Sequence, residues 1–172
     1  ALLLGAPAAF AQAYPTKNVT LVVPFAAGGP TDVVARTLAA VMTKSLGQSV
    51  IVENKLGAGG TLAAGAVAKA PPDGYTFFIH HNGMATAPGL YRKLAFNPLT
   101  DFEYVSQVVD VPMTLLARKD LPPSTPQEFI AYVKANGNKL NLAHAGLGAV
   151  SQLCGMLFQK MVGVELNTVP FS

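Results

Sequence analysis

An apolar run that ends in two glycines and a proline is the feature that most constrains this chain. Residues 19–25 (VTLVVPF) are mainly β-branched and apolar, which indicates one buried strand. Gly28 and Gly29 break the run, and Pro30 stands at a first helical position, where no N–H is needed. A strand that enters a helix through such a turn directs unpaired backbone N–H groups and the positive end of the helix dipole at one point. The sequence therefore predicts either an anion site or a plain tight turn there.

The helix that starts at Pro30 carries an acidic residue in its first turn and an apolar stripe behind it. Asp32 fits two roles: it can complement the helix dipole at an exposed helix start, or it can shape the loop of the turn. The stripe predicts the buried face of the helix and consists of Val33, Val34, Thr37, Leu38, Val41 and Met42.

Strand and helix patterns alternate along the rest of the chain. Strands are predicted over residues 49–53, 75–80, 140–143 and 166–169, and helices over 61–70, 126–135 and 149–162. Thr61 is a candidate helix cap, and Thr125 with Glu128 forms a capping box. Because repeated strand–helix–strand units build parallel sheets with helices on both faces, the predicted fold class is α/β with parallel-rich sheets.

The charge distribution, the single cysteine and the first 13 residues limit the class of protein to which this chain can belong. The net charge is +3, but the 12 basic and 9 acidic residues are spread along the chain, whereas nucleic-acid binding requires a basic cluster. The single cysteine, Cys154, rules out an intrachain disulfide, and its apolar helix neighbours predict a buried side chain. Residues 1–13 (ALLLGAPAAFAQA) are uncharged and end in A-Q-A, which predicts the remnant of a signal peptide and an exported protein that starts at Tyr14.

Three strand-to-helix turns recur, at residues 25–32, 80–86 and 144–151. Ligands of open α/β sheets bind at the carboxyl ends of strands, where such turns lie. None of the three turns contains Lys or Arg, so an anion there would be held by backbone N–H groups, hydroxyl groups and helix dipoles. That arrangement favours reversible capture of a ligand over catalysis.

Histidines lie in or beside two of these turns. His80 and His81 are neighbours in a predicted strand, so their side chains are expected to point to opposite faces and not to share a metal ion. His144 stands at the start of the third turn, where it can either hydrogen-bond a carboxylate or support the turn from behind.

Enzyme motifs are missing from the sequence. It has neither a G-x-S-x-G elbow nor a G-K-[ST] phosphate loop. Ser151 has no identifiable base beside it. Gly57, Gly59 and Gly60 match only half of a dinucleotide-binding fingerprint, so a structural turn is the better interpretation of these glycines. An α/β enzyme is an alternative that rests on shared topology alone.

Several segments, in order, resemble a known family. They are V-V-P-F-A-A-G-G-P-T-D at residues 22–32, V-E-N-K-L-G-A-G-G at 52–60, P-D-G-Y-T at 72–76, A-P-G-L-Y-R-K-L at 87–94, A-H-A-G-L-G-A-V-S-Q-L at 143–153 and T-V-P-F at 168–171. Over essentially the whole chain after residue 13, the sequence resembles the periplasmic solute-binding proteins of the tripartite tricarboxylate transporter system, also named the Bug or TctC-like family.

The resemblance implies a two-lobed, Venus-flytrap protein that closes on a small carboxylate, such as a di- or tricarboxylate or an aromatic acid. It implies delivery of that ligand to a membrane permease of the tripartite tricarboxylate type, a periplasmic location, a monomer and no cofactor. An alternative is a ligand sensor that reports to a two-component kinase. Lobe one would span residues 14–109, residues 110–172 would hold the crossing and the first part of lobe two, and the chain would be a C-terminally truncated fragment.

In the family, the ligand carboxylate meets backbone and small side chains of the three turns. Carried over to this sequence, the resemblance implies ligand-binding residues Phe25, Ala27, Gly28, Asn82, Gly83, Thr86, Ala145, Gly146, Gly148, Ala149 and Ser151. Ser151, near the start of its helix, is expected to make a contact specific to the closed form. Two departures concern the ligand: Gln152 stands where relatives commonly carry His, and His80-His81-Asn82 replaces a more usual stretch of Gly, Ser and Thr.

Overall fold

Two parallel sheets organise the chain in the computed structural model, which describes residues 13–171. Apart from Ala13, the predicted signal segment lies outside the described residues. In the first sheet, β1 (Val19–Val23), β2 (Val50–Asn54) and β3 (Thr76–Phe78) run parallel in the order β2-β1-β3. In the second, β4 (Asn141–His144) pairs in parallel with β5 (Asn167–Pro170). The parallel pairing confirms the fold class that the alternating pattern predicts.

Helices cover both faces of the first sheet. α1 (Pro30–Leu46) packs on Leu21 and Val23, whereas α2 (Thr61–Val67) lies beside Thr20 and Val22. Since successive side chains of a strand point to opposite faces, the two helices lie on opposite sides of β1. The strand is buried almost throughout, as expected of a central strand built from β-branched residues.

The remaining helices begin at the predicted turns or at the predicted cap. α3 (Gly83–Leu90) follows β3, and α5 (Val150–Val162) follows β4. α4 (Pro126–Asn136) begins at the capping box, in which Thr125 Oγ1 accepts the Glu128 N–H and the Glu128 carboxylate accepts the Thr125 N–H. All three predicted turns therefore lie at the carboxyl ends of parallel strands, where ligands of such sheets are usually bound.

The buried face of α1 agrees with the predicted stripe only in part. Val34 and Leu38 pack on the core of the first sheet as predicted. Val33 and Val41, however, are 55% and 61% exposed, whereas Ala35 and Ala39, which lie outside the predicted stripe, are buried. Alanines have the smallest side chains of the helix, so a contact through them brings the helix backbone close to the strands. The helix thus meets the sheet through these two alanines together with Val34 and Leu38, and close packing shifts the interface towards the alanines.

Two further predictions are wrong. Thr61 does not cap α2: the cap residue is Gly60, and the Thr61 hydroxyl donates to Ala58 O at 2.9 Å. Cys154 is exposed, because α5 meets the second sheet through its neighbour Gly155, where a Cβ would lie 2.8 Å from Leu142 Cδ2. Within residues 13–171, no helix has both the length and the apolar character needed to cross a bilayer.

Candidate functional site

The first turn is held in shape by the buried carboxylate of Asp32, which is only 1% exposed. Its Oδ2 atom accepts the Gly28 N–H and the Arg36 Nε–H, both at 2.8 Å, and its Oδ1 atom accepts the Asn54 Nδ2–H at 2.9 Å. The hydrogen bond from Arg36, followed by those from Gly28 and Asn54, holds the pKa of this carboxyl well below its usual range. Of the two roles predicted for Asp32, the structure shows the shaping of the loop.

Asn54 connects the same turn to the neighbouring strand. Its Nδ2 also donates to Phe25 O at 2.9 Å, and its Oδ1 accepts from Arg36 Nη2 at 3.1 Å. The amide reaches the turn because the parallel register places Val23, the last residue of β1, opposite Asn54. Sequence reasoning missed Arg36 and Asn54. The available signal for Arg36 was its i, i+4 spacing from Asp32 on a helix.

Replacing Asp32 with asparagine is expected to loosen the first turn. All three partners of the carboxylate are N–H donors, so an amide in its place sets its own NH₂ group against at least one of them. We expect the melting temperature to fall by roughly 5 °C or more. We also expect faster amide hydrogen exchange around Gly28. Thermal unfolding and exchange followed by mass spectrometry measure the two effects.

Asp73→Asn is the matched control for this change. Asp73 forms an exposed ion pair with Lys17 at 3.2 Å, and pairs of that kind contribute little to stability. The control variant should therefore melt close to the wild type. Equal losses in the two variants would show that the buried carboxylate has no special structural role.

Aromatic rings join the first turn to the second. The Phe25 ring stacks on His81, with centroids 4.5 Å apart and planes inclined by 13°, and it meets His80 edge-on at 5.5 Å. The two imidazole rings lie 4.9 Å apart, so the prediction that they point to opposite faces is wrong. β3 ends at Phe78, and the alternation of side chains along a strand does not extend to the residues that follow.

The two imidazoles are neutral at neutral pH. Burial, assisted by the neighbouring His81, lowers the pKa of His80 to about 4, and burial lowers the pKa of His81 as well. The His81 N–H donates to His80 Nδ1 at 2.7 Å, and the Gly83 N–H donates to His81 Nδ1 at 3.2 Å. The His81 Nδ1 atom is therefore an acceptor, which places the ring proton of His81 on Nε2. His80 Nδ1 lies 3.0 Å from His81 O as well.

Asn82 adds a buried acceptor to the second turn. It is the cap residue of α3, and its backbone carbonyl accepts the N–H groups of Ala85 and Thr86. Its side-chain Oδ1 is buried and has no hydrogen-bond partner among the described residues. A buried carbonyl without a partner costs free energy, so a donor brought into this turn would stabilise it.

The third turn uses its own backbone donors internally. Gly146 and Gly148 have φ values of +103° and +77°, a region that favours glycine. Three N–H groups donate to side chains of the same segment: Ala145 to Ser151 Oγ at 3.0 Å, Gly146 to His144 Nδ1 at 3.2 Å and Gly148 to Gln152 Oε1 at 2.6 Å. These three side chains shape the turn. Of the two roles predicted for His144, the structure shows support of the turn.

Side chains of α3 and the glycine segment 57–60 contact the third turn. The Thr86 hydroxyl donates to Gly148 O at 3.3 Å. A Cβ on Gly148 would lie 2.5 Å from Leu90 Cδ1, and a Cβ on Gly59 would lie 3.1 Å from Leu147 O. Glycine at these two positions therefore allows the close approach. The interpretation of Gly59 as a structural residue agrees with this contact.

The predicted site residues thus fall into three connected turns. Phe25 links the first turn to the second, and Thr86 links the second to the third. In the part of the chain that the structure describes, no hydrogen bond links the first turn directly to the third, and no group of three His, Cys, Asp or Glu side chains is arranged to hold a metal ion. What the turns offer is neutral polar groups: backbone amides, the hydroxyls of Thr86 and Ser151, and imidazole N–H groups.

Comparison with known sequences finds one family over most of the chain. The sequence profile described as "Tripartite tricarboxylate transporter family receptor" matches residues 34–172. A protein of Agrobacterium vitis, described as the UPF0065 protein in the TAR-I ttuE-ttuC' intergenic region, is 49% identical over 160 residues. That match covers 93% of this chain and 46% of the relative.

Solved structures share the fold. The periplasmic binding protein BugD matches with a TM-score of 0.86 and 52% identity, over 92% of this chain and 53% of BugD. MatC from Rhodopseudomonas palustris with bound malate matches with a TM-score of 0.83 and 49% identity, over 92% of this chain and 54% of MatC. A second R. palustris protein, with adipate, matches with a TM-score of 0.79 and 38% identity, over 92% of this chain and 53% of that protein. The chain spans about half the length of these relatives. It has the α/β architecture of the periplasmic binding proteins and belongs to the tripartite tricarboxylate transporter receptor (TctC, Bug) family.

Proposed function

We propose that this protein is an extracytoplasmic solute-binding protein that captures a small carboxylate between two lobes. The observation that carries the proposal is the connection of three strand-to-helix turns through Phe25, the imidazoles and the Thr86–Gly148 hydrogen bond. Family membership and the malate and adipate bound to two relatives support it. The proposed ligand-binding residues are those predicted from the sequence, with lobe one at residues 14–109 and lobe two beginning within residues 110–172.

The chemistry of the turns suits an anion held by neutral donors. None of the three turns contains Lys or Arg. Arg36, the first cation along α1, pairs with Asp32 at 2.8 Å. The amino-terminal ends of α1 and α5 supply backbone N–H groups and the positive ends of helix dipoles. A carboxylate of modest size fits this set of groups better than a phosphate ester, which proteins usually meet with Lys or Arg.

The cellular role follows from the same proposal. The predicted signal segment and the periplasmic relatives support a periplasmic location. Family membership supports delivery of the ligand to a permease of the tripartite tricarboxylate type. The protein is proposed to return its ligand unchanged, because the sequence carries no motif of a hydrolase or a nucleotide enzyme.

Calorimetry of the complete protein with acids and their amides tests the proposed ligand class. We expect L-malate, adipate or citrate to bind at least about a hundredfold more tightly than the corresponding amide, because each lost hydrogen bond to a charged group costs roughly 1.5–3 kcal/mol. Raising the salt concentration should change the affinity little, since buried neutral donors are screened less than exposed ion pairs. Equal affinity for an acid and its amide would contradict the proposal, and chemical conversion of the ligand would reveal an enzyme.

A further inference from the structure

His81 lies where the first and second turns meet, and it carries a polar group that the fold does not use. Its Nδ1 atom accepts the Gly83 N–H at 3.2 Å. Its Nε2 atom forms no hydrogen bond within residues 13–171, although the Asn82 side chain lies near the ring, and the His81 side chain is half-buried. Because Nδ1 is occupied as an acceptor, Nε2 carries the proton and is a donor. The His81 ring therefore presents one N–H group of known identity.

The orientation of this donor is fixed by packing on three sides. Phe25 stacks on the face of the ring at 4.5 Å, and His80 meets it at 4.9 Å. On the third side, a Cβ on Gly83 would lie 3.4 Å from His81 Cε1 and 2.6 Å from His80 Cε1, so glycine at this position leaves room for both rings. A donor held in one orientation before the ligand arrives loses little entropy on binding.

His81 differs in this respect from the other histidine with the same local hydrogen bond. In the third turn, His144 Nδ1 accepts the N–H of Gly146, again two residues on and again at 3.2 Å. His144 is only 8% exposed, however, whereas His81 is half-buried at the edge of the second turn. The same backbone contact thus belongs to a buried ring in the third turn and to a half-buried ring in the second.

We propose that His81 contacts the ligand and donates its Nε2–H to a carboxylate oxygen, an assignment that rests on the proposed carboxylate-binding function. Burial lowers the pKa of His81, so the ring stays neutral and the donor persists at neutral pH. A charged carboxylate oxygen accepts this bond more strongly than the neutral carbonyl oxygen of an amide does. His81 therefore contributes to a preference for acids over amides, in a site whose turns hold no Lys or Arg.

Two variants of the complete protein that differ in the donor test the assignment. His81→Gln keeps an N–H group close to the position of the imidazole Nε2, and His81→Met fills a similar volume without a donor. We expect His81→Met to bind L-malate about tenfold or more weakly, and His81→Gln to stay within about threefold of the wild type. The preference for malate over its diamide should fall in His81→Met alone. His81→Phe, which keeps the stacked ring, replaces His81→Met if that variant does not fold.

The possible outcomes separate this inference from the proposed function. Equal affinity of the Gln and Met variants for malate would overturn the role of His81 and leave carboxylate binding by the wild type untouched. A larger loss in the Met variant at equal melting temperature would support the contact. A wild-type protein that binds none of malate, adipate and citrate would overturn the proposed function, and this inference with it.

Discussion

Replacing Gly60 with alanine is expected to lower the free energy of unfolding by roughly 2–5 kcal/mol, the sum of a backbone term and a steric term. The φ angle of Gly60 is +93°, which residues with a Cβ rarely adopt. A Cβ there would also lie 2.5 Å from His80 Nε2 and 3.1 Å from Pro24 Cβ. Neither neighbour can withdraw freely, because Pro24 is buried and the His80 ring is packed by Phe25.

The same substitution should weaken ligand binding, because a displaced His80 moves the second turn. The His80 ring accepts the backbone N–H of His81 at 2.7 Å, so a shift of the His80 ring also moves the backbone at His81. Urea unfolding and calorimetry with malate measure the two effects on the complete protein.

Gly47→Ala separates the steric from the backbone contribution. Gly47 ends α1 with a φ of +67°, close to that of a left-handed residue, but no atom lies within 4 Å of the place where its Cβ would stand. This control should therefore lose only roughly 1–2 kcal/mol, the backbone contribution alone. If Gly60→Ala cost no more than Gly47→Ala, His80 and Pro24 would have to be free to move aside.

The elements of the fold could be predicted because each rests on a local pattern. β1 is a run of β-branched residues, α1 begins at Pro30, and α4 begins at the capping box of Thr125 and Glu128. Which face of a helix meets a sheet does not follow from such patterns. α1 buries two alanines beside the predicted Val34 and Leu38, and α5 approaches through Gly155, because small residues let the backbones come close.

For the site, the location of the turns could be predicted and their internal bonding could not. Asp32 and Asn54 are far apart in sequence and meet only because β1 and β2 pair in a particular register. Phe25 and His81 meet because β3 pairs with the other edge of β1 and stops at Phe78. A single sequence holds the residue types of these contacts but not the register of the strands, which is set by packing across the sheet.

Acid is expected to destabilise the protein by up to about 3 kcal/mol through His80 alone. Burial, assisted by His81, lowers the pKa of His80 from 6.5 to about 4. Between these values the unfolded chain binds a proton that the folded protein does not, so the free energy of unfolding falls as the pH falls from 6.5 to 4. The pKa difference of about 2.5, at about 1.36 kcal/mol for each unit, gives the magnitude. His81 contributes in the same direction, because burial lowers its pKa too.

His80→Asn isolates this contribution. The asparagine Oδ1 can accept the His81 N–H that His80 Nδ1 accepts at 2.7 Å, but it does not titrate. Carboxylates also titrate towards pH 4, so the informative quantity is the difference in unfolding free energy between wild type and variant, measured by urea unfolding. At neutral pH the variant should be the less stable, because it loses the edge-on contacts with Phe25 and Phe78. This difference in unfolding free energy between wild type and variant should become smaller by about 2–3 kcal/mol when the pH is lowered to about 4.5. Parallel stability curves would mean that His80 takes up its proton in the folded protein as readily as in the unfolded chain, and the ring could then be neither buried nor held neutral.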